Sequence, residues 1–213
     1  MTIRSTGGRI AAFAWLAFAA LNIADLVFGV TGDPEYSLTT SMIAALLLLG
    51  CGIAYTIGLR PTIVGDDEAV TVRNPLRDTR APWRAVRSIE GKDALVVRFT
   101  GPDGAELQTR AWVHQTSPRA QAKAEARARK QNAKLGAQVK GRTPAGYAAE
   151  RLNEMWDRLR PKTRSGAPDR AAGAREEAAE DVRGSVSWSV PAIAALAVPG
   201  VAVVVCAILA MVN

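Results

Sequence analysis

Three stretches of this chain are almost free of charge, and each is long enough to cross a membrane. Residues 10–30 are apolar except for Asn22 and Asp25, and neither residues 36–59 nor residues 185–213 contain a charged side chain. At about 1.5 Å of rise per helical residue, roughly 20 residues span a hydrocarbon core about 30 Å thick. One such run would equally suit a buried core helix. Three of them, two without any charge, restrict the chain to a multi-pass membrane protein. The first run also has features of a signal peptide, with Arg4 and Arg9 as a basic start and Ala17-Phe18-Ala19 as a cleavage sequence. It continues to Val30, however, past the roughly 7–15 apolar residues of a signal core, so a retained helix is expected.

Charge then assigns the sides. Of 27 Lys and Arg residues, 25 lie between Arg60 and Arg183, and the other two, Arg4 and Arg9, precede the first apolar run. Residues 31–38 carry Asp33 and Glu35 but no cation. Positive residues close to spans stay on the cytoplasmic side. The expectation is therefore a cell (inner) membrane protein with a cytoplasmic N-terminus (1–9), a first span (10–30), an external loop (31–38) and a second span (39–59). A large cytoplasmic block follows, then a third span (188–212) and an external C-terminus. Residues 60–183 hold 25 cations against 17 acids. Cys51 and Cys206 both fall inside spans, which removes an exported disulfide framework or a zinc site of ordinary spacing. They read as small packing residues, with lipidation as the alternative.

After Pro61 the apolar period falls to two. Residues 62–65 and 69–73 flank the polar turn Asp66-Asp67-Glu68, and residues 77–86 form a mixed strand bent at Pro82. Glu90-Gly91-Lys92-Asp93 reads as a turn. Leu95, Val97 and Phe99 share one face of the clearest strand, 94–100, and Gly101-Pro102-Asp103-Gly104 turns the chain by preset and permissive dihedrals. Leu107, Thr109, Ala111 and Val113 alternate along the last strand. The spacing predicts an antiparallel meander of about five strands.

From Ser117-Pro118, a good helix start, the pattern becomes helical. Residues 119–142 hold eight cations and one acid, Glu125, with only Leu135 and Val139 as larger apolar residues. Such a helix has no apolar stripe to insert into lipid. Thr143-Pro144 opens a second helix in which Ala148, Leu152, Met155, Trp156 and Leu159 recur at the helical period, and Pro161 ends it. Trp156 is expected to anchor this helix on the sheet. Residues 162–184 lack large apolar side chains and read as a flexible tether.

An antiparallel sheet followed by one amphipathic helix is the element order of a pleckstrin-homology (PH) domain. The chain resembles the bacterial PH-domain membrane proteins of the actinobacterial low-molecular-weight protein antigen group. The resemblance rests on Gly58-Leu59-Arg60-Pro61, Val70-Thr71-Val72-Arg73-Asn74-Pro75-Leu76, Ala81-Pro82-Trp83, Val86 through Ile89, and Ala111-Trp112-Val113. It covers residues 60–114 and extends loosely to 160, and two spans before the domain fit the group. The fold class expected is α+β: three transmembrane helices with a cytoplasmic PH-like antiparallel β-domain (60–114) and a C-terminal amphipathic helix (144–160). A basic helical insert (115–143) and a flexible linker (161–187) complete the division. The resemblance implies a membrane-anchored module that is not an enzyme and whose ligand is generally unassigned; no cofactor or metal is expected. The basic insert and the third span depart from the group. Phosphoinositide-reading PH domains of eukaryotes carry a basic motif in the first hairpin, where this chain has Asp66, Asp67 and Glu68, so that ligand is not carried over.

Chemistry-bearing motifs are sparse. His114 is the only histidine, so a histidine-paired metal site within one chain is excluded, and a Ser-His-Asp triad would have to use that residue. No glycine-rich loop fits a phosphate-binding fingerprint. Asn22 and Asp25, three residues apart in the first span, are intramembrane polar groups that suggest either helix pairing or proton and ion handling. The eight cations of the insert, Arg119, Lys123, Arg127, Arg129, Lys130, Lys134, Lys140 and Arg142, read either as a solvated topology signal or as contacts to anionic phospholipid, worth about 1 kcal/mol per cation near the surface. Nucleic acid ranks last. The partner expected is another membrane protein, met through a sheet edge or the surface around Trp83 and Arg84, with self-association as a further class. The alternative function is an accessory subunit of a transporter or ion pathway using the spans.

Overall fold

The computed structural model describes residues 1–30, 32, 36–91, 93–113, 144–159 and 182–212. They divide into two compact units. One comprises Met1–Arg4, Thr62–Asn74 and the described part of Asp78–Ser187; the other comprises Ser5–Pro61, Pro75–Arg77 and the stretch from Trp188 onward.

The first unit contains two sheets. Strands β1 (Thr2–Arg4), β2 (Thr62–Gly65), β3 (Ala69–Arg73), β4 (Arg77–Pro82) and β8 (Ser185–Trp188) form one, in the order β1-β2-β3-β4-β8. The second has the order β5-β6-β7, from Val86–Gly91, Leu95–Thr100 and Glu106–Arg110. Register follows the apolar pattern. Ile63 pairs with Val72 and Gly65 with Val70, while Val97 lies between Ile89 and Thr109. Because the side-chain period is two, these pairings bring the apolar residues onto one face. The inward residues Ile63, Val70, Val72, Val97, Leu95 and Phe99 are almost fully buried and form one core. Helix α3 (Pro144–Leu159) packs on β5 and β6. It delivers Leu152 and Ala149 into that core, with Met155 and Trp156 partly buried against it. Burial of a leucine such as Leu152 contributes about 2 kcal/mol.

The sheets are joined at their margins by polar contacts. The Thr79 and Thr109 hydroxyls are 3.0 Å apart, and the Gly184 amide, directly before β8, donates to Thr100 O (2.8 Å).

The strand count differs from the expected meander of about five. Residues 86–91, read as the approach to a turn, are strand β5, because Trp83 and Ala85 make the tight turn earlier: the Ala85 amide donates to Pro82 O at 2.8 Å. Strands β1 and β8 have only three and four residues. Neither carries a period long enough to read, and their pairing with β2 and β4 is decided by the sheet rather than by local sequence. Residues 185–187, expected within the linker, belong to β8.

The second unit holds three helices. Helix α1 (Thr6–Phe28) starts at Ser5, whose hydroxyl accepts from the Gly8 amide. Helix α2 (Leu38–Ile53) is capped by Ser37 and continues as a π-helical turn, Ala54–Leu59. Helix α4 covers Val190–Val212. All three are long and apolar enough to cross a membrane. Helix α2 packs against both α1 and α4. Large apolar side chains such as Phe13, Phe18, Leu48, Val201 and Ile208 face outward, the arrangement expected of helices solvated by lipid. Connections to the strands are minimal. Ser5 alone separates β1 from α1, Arg60 and Pro61 separate the second helix from β2, and Ser189 separates β8 from α4.

Candidate functional site

The polar residues of the motifs that carry the resemblance are used inside the fold. Asn74 is bifunctional: its Nδ2 donates to Arg110 O (3.0 Å) and its Oδ1 accepts from the Trp112 amide (2.8 Å). One carboxamide thus stands in for a strand at the end of β7, and Pro75, which has no amide hydrogen, releases the chain from β3. In the acidic turn, Asp66 Oδ1 accepts from the amides of Ala69 (2.7 Å) and Glu68 (2.9 Å). The Ala69 amide is the largest cause of a lowered Asp66 pKa; partial burial opposes it, and the Glu68 amide and Arg80 add to it. A carboxylate kept ionised has no proton to give, so Asp66 is unsuited to general-acid chemistry.

Trp83 was expected on a contact surface and is instead a core residue, 5 % exposed. Its indole Nε1 donates to Asp66 O (2.7 Å), and its own carbonyl accepts from Trp156 Nε1 (3.1 Å). Two tryptophans therefore tie the first turn to β4's end and to α3. Burial of a large ring with its N–H satisfied is the usual structural use of tryptophan. Arg84, the next residue, points outward and is exposed.

Several other charges on the described β-domain are matched on its surface. Arg80 pairs with Glu68 (2.9 Å), Arg98 with Glu90 (3.7 Å), Arg151 with Glu154 (3.2 Å), and Arg110 with Asp93. Exposed pairs of this kind contribute little stability. Among the described residues Arg84 forms no ion pair. On β7, an outer strand of its sheet, Leu107 is exposed opposite Phe99 in the register.

In α1, Asn22 and Asp25 are both half-buried. Asn22 Nδ2 donates to Phe18 O one turn back (2.8 Å), which satisfies the amide within its own helix. Among the described residues no cluster of three or more His, Cys, Asp or Glu could hold a metal ion. His114 and the eight insert cations, Arg119, Lys123, Arg127, Arg129, Lys130, Lys134, Lys140 and Arg142, lie outside the described residues.

One constellation has no counterpart in the sequence reading. The Arg77 guanidinium stacks over the Trp188 ring, 4.3 Å from its centroid, across 111 positions of sequence. The turn before Arg77 is fixed at both ends: Arg60 Nη1 donates to Pro75 O (3.3 Å) and the Ser189 amide donates to Leu76 O (2.9 Å). Only the tertiary fold brings these residues together. The sole sequence signal is an aromatic residue at the start of the third span.

The family model for the bacterial PH domain matches residues 60–131, about a third of the chain. The match starts at the end of the second apolar helix and takes in β2 to β7. No curated protein and no solved structure matches the chain.

Proposed function

We propose, taking as premise the match of residues 60–131 to the bacterial PH-domain family, that this chain is a membrane-anchored interaction module rather than an enzyme. PH domains are interaction modules for protein or lipid. Here the module presents its exposed surface, Arg84 and the outer strand β7, to another membrane protein on the cytoplasmic face. The insert cations, residues 119–142, contact anionic lipid. The observation that carries this reading is the family match on a β-domain whose β1, β2 and β8 each lie one or two residues from an apolar helix. Two residues of extended chain reach at most about 7 Å, so such a domain cannot leave the bilayer surface. The distribution of cations, none between Ile10 and Leu59 and none after Arg183, supports the cytoplasmic side. Internal use of Asn74, Asp66 and Trp83 agrees with recognition by surface rather than by a buried catalytic centre.

The test is photocrosslinking in living cells, with a photoreactive residue placed at Arg84 or at Leu107. The expected result is a discrete adduct with one other membrane protein from at least one position. Adducts with further copies of this chain alone, from both positions, contradict the partner claim.

A further inference from the structure

Leu76, Arg77 and Trp188 form an exposed patch beside the first turn of α4. Leu76 is 37 % and Trp188 57 % exposed, and Arg77 forms no ion pair among the described residues. Stacking on the indole occupies one face of the guanidinium and leaves its N–H edge directed away from the ring. The Ser189–Leu76 hydrogen bond, one residue before α4 begins at Val190, fixes this turn at the head of an apolar helix. Tryptophan and arginine at the end of a span occupy the headgroup layer, where the indole meets both apolar and wet surroundings. A planar guanidinium held there matches a phosphate in geometry and charge.

We propose that Arg77, held on Trp188, binds the phosphate of an anionic phospholipid headgroup, with Leu76 and the indole packed among the upper acyl carbons. The site rests on the reading that the chain is anchored by its helices with this end at the cytoplasmic leaflet, but it uses other residues than the insert cations. Its ligand is the membrane's own anionic lipid. Association should weaken with salt, as expected for a cation at an exposed surface.

The experiment uses the full chain purified in mild detergent and titrated with phosphatidylglycerol or phosphatidylcholine, with bound lipid counted by native mass spectrometry. The chain should retain phosphatidylglycerol in preference to phosphatidylcholine. Arg77→Gln should weaken the first phosphatidylglycerol about fivefold, equivalent to ~1 kcal/mol for one cation at an anionic surface, and leave phosphatidylcholine unchanged. Trp188→Leu keeps an apolar anchor but removes the stacking ring, and it should weaken phosphatidylglycerol in the same direction. Neutralising the eight insert cations should leave this first lipid in place. Unchanged phosphatidylglycerol affinity in both Arg77→Gln and Trp188→Leu overturns the proposal. Loss confined to the insert variant also overturns it, while supporting the lipid role of the insert.

Discussion

Replacing Gly91 with valine should release helix α3 from the β-domain, although valine is the better strand residue. Gly91 ends β5, opposite Leu95 in the register. A Cβ at this position would fall inside the contact radius of Ala145 O and 2.8 Å from Ala149 Cβ, both on α3. The first of these is backbone, so no rotamer change relieves the overlap. Removing a strand glycine gains up to about 1 kcal/mol, whereas overpacking of this kind costs roughly 3 kcal/mol. The overlap wins by about 2 kcal/mol. Hydrogen exchange of the α3 amides, residues 144–159, should therefore accelerate roughly 30-fold. Exchange unchanged from the parent would show that α3 is not seated on Gly91.

The second large effect lies in the helical unit. At Gly52 a Cβ would overlap the Ala195 carbonyl oxygen of α4 and lie 2.9 Å from its carbon. Helices in lipid gain little from the hydrophobic effect between them and associate through close packing of small residues. Gly52→Val therefore removes the contact on which α2 and α4 meet. A loss of roughly 3 kcal/mol is expected, lowering the thermal midpoint of the detergent-solubilised chain by about 10 °C. Gly52→Ala should shift it less, because its gain in helix propensity, about 1 kcal/mol, offsets part of the overlap. An unchanged midpoint in the valine variant would contradict the packing of α2 on α4.

The three apolar helices were legible because hydropathy and charge are summed over some twenty residues, so no single substitution hides them. Strands β2, β3 and β6 were legible for a similar reason: Val70 and Val72, or Leu95, Val97 and Phe99, repeat on one face. β1 and β8 were not, since Thr2–Arg4 and Ser185–Trp188 are shorter than any readable period. Trp83 illustrates a different limit. A tryptophan between Pro82 and Arg84 has the same local sequence whether it faces water or core. Its burial is set by Asp66 O and α3, 17 positions before it and about 70 after it. The Arg77–Trp188 stack is a still longer-range product of the fold. Asn74-Pro75-Leu76, by contrast, was recognised without its reason; the structure supplies one in the carboxamide that closes β7 against Arg110 and Trp112.

These placements also change where function is sought on the chain. Trp83 is a core residue, Arg84 is exposed, and the proposed lipid contact at Arg77 is separate in sequence from the one proposed for the insert cations. Asn22 satisfies its amide on Phe18 O, so nothing in its hydrogen bonding favours an ion pathway through α1.

The account as a whole depends on the β-domain and the outer loop lying on opposite sides of the membrane. The direct measurement is labelling of single cysteines with a membrane-impermeant maleimide, in a chain whose Cys51 and Cys206 have been replaced by alanine. Tyr36→Cys and Arg84→Cys serve as reporters, because both positions are exposed. In intact cells Tyr36→Cys should label and Arg84→Cys should not, and permeabilisation should make both reactive. Labelling of Arg84→Cys in intact cells would place the β-domain outside and contradict the proposed cytoplasmic interaction module.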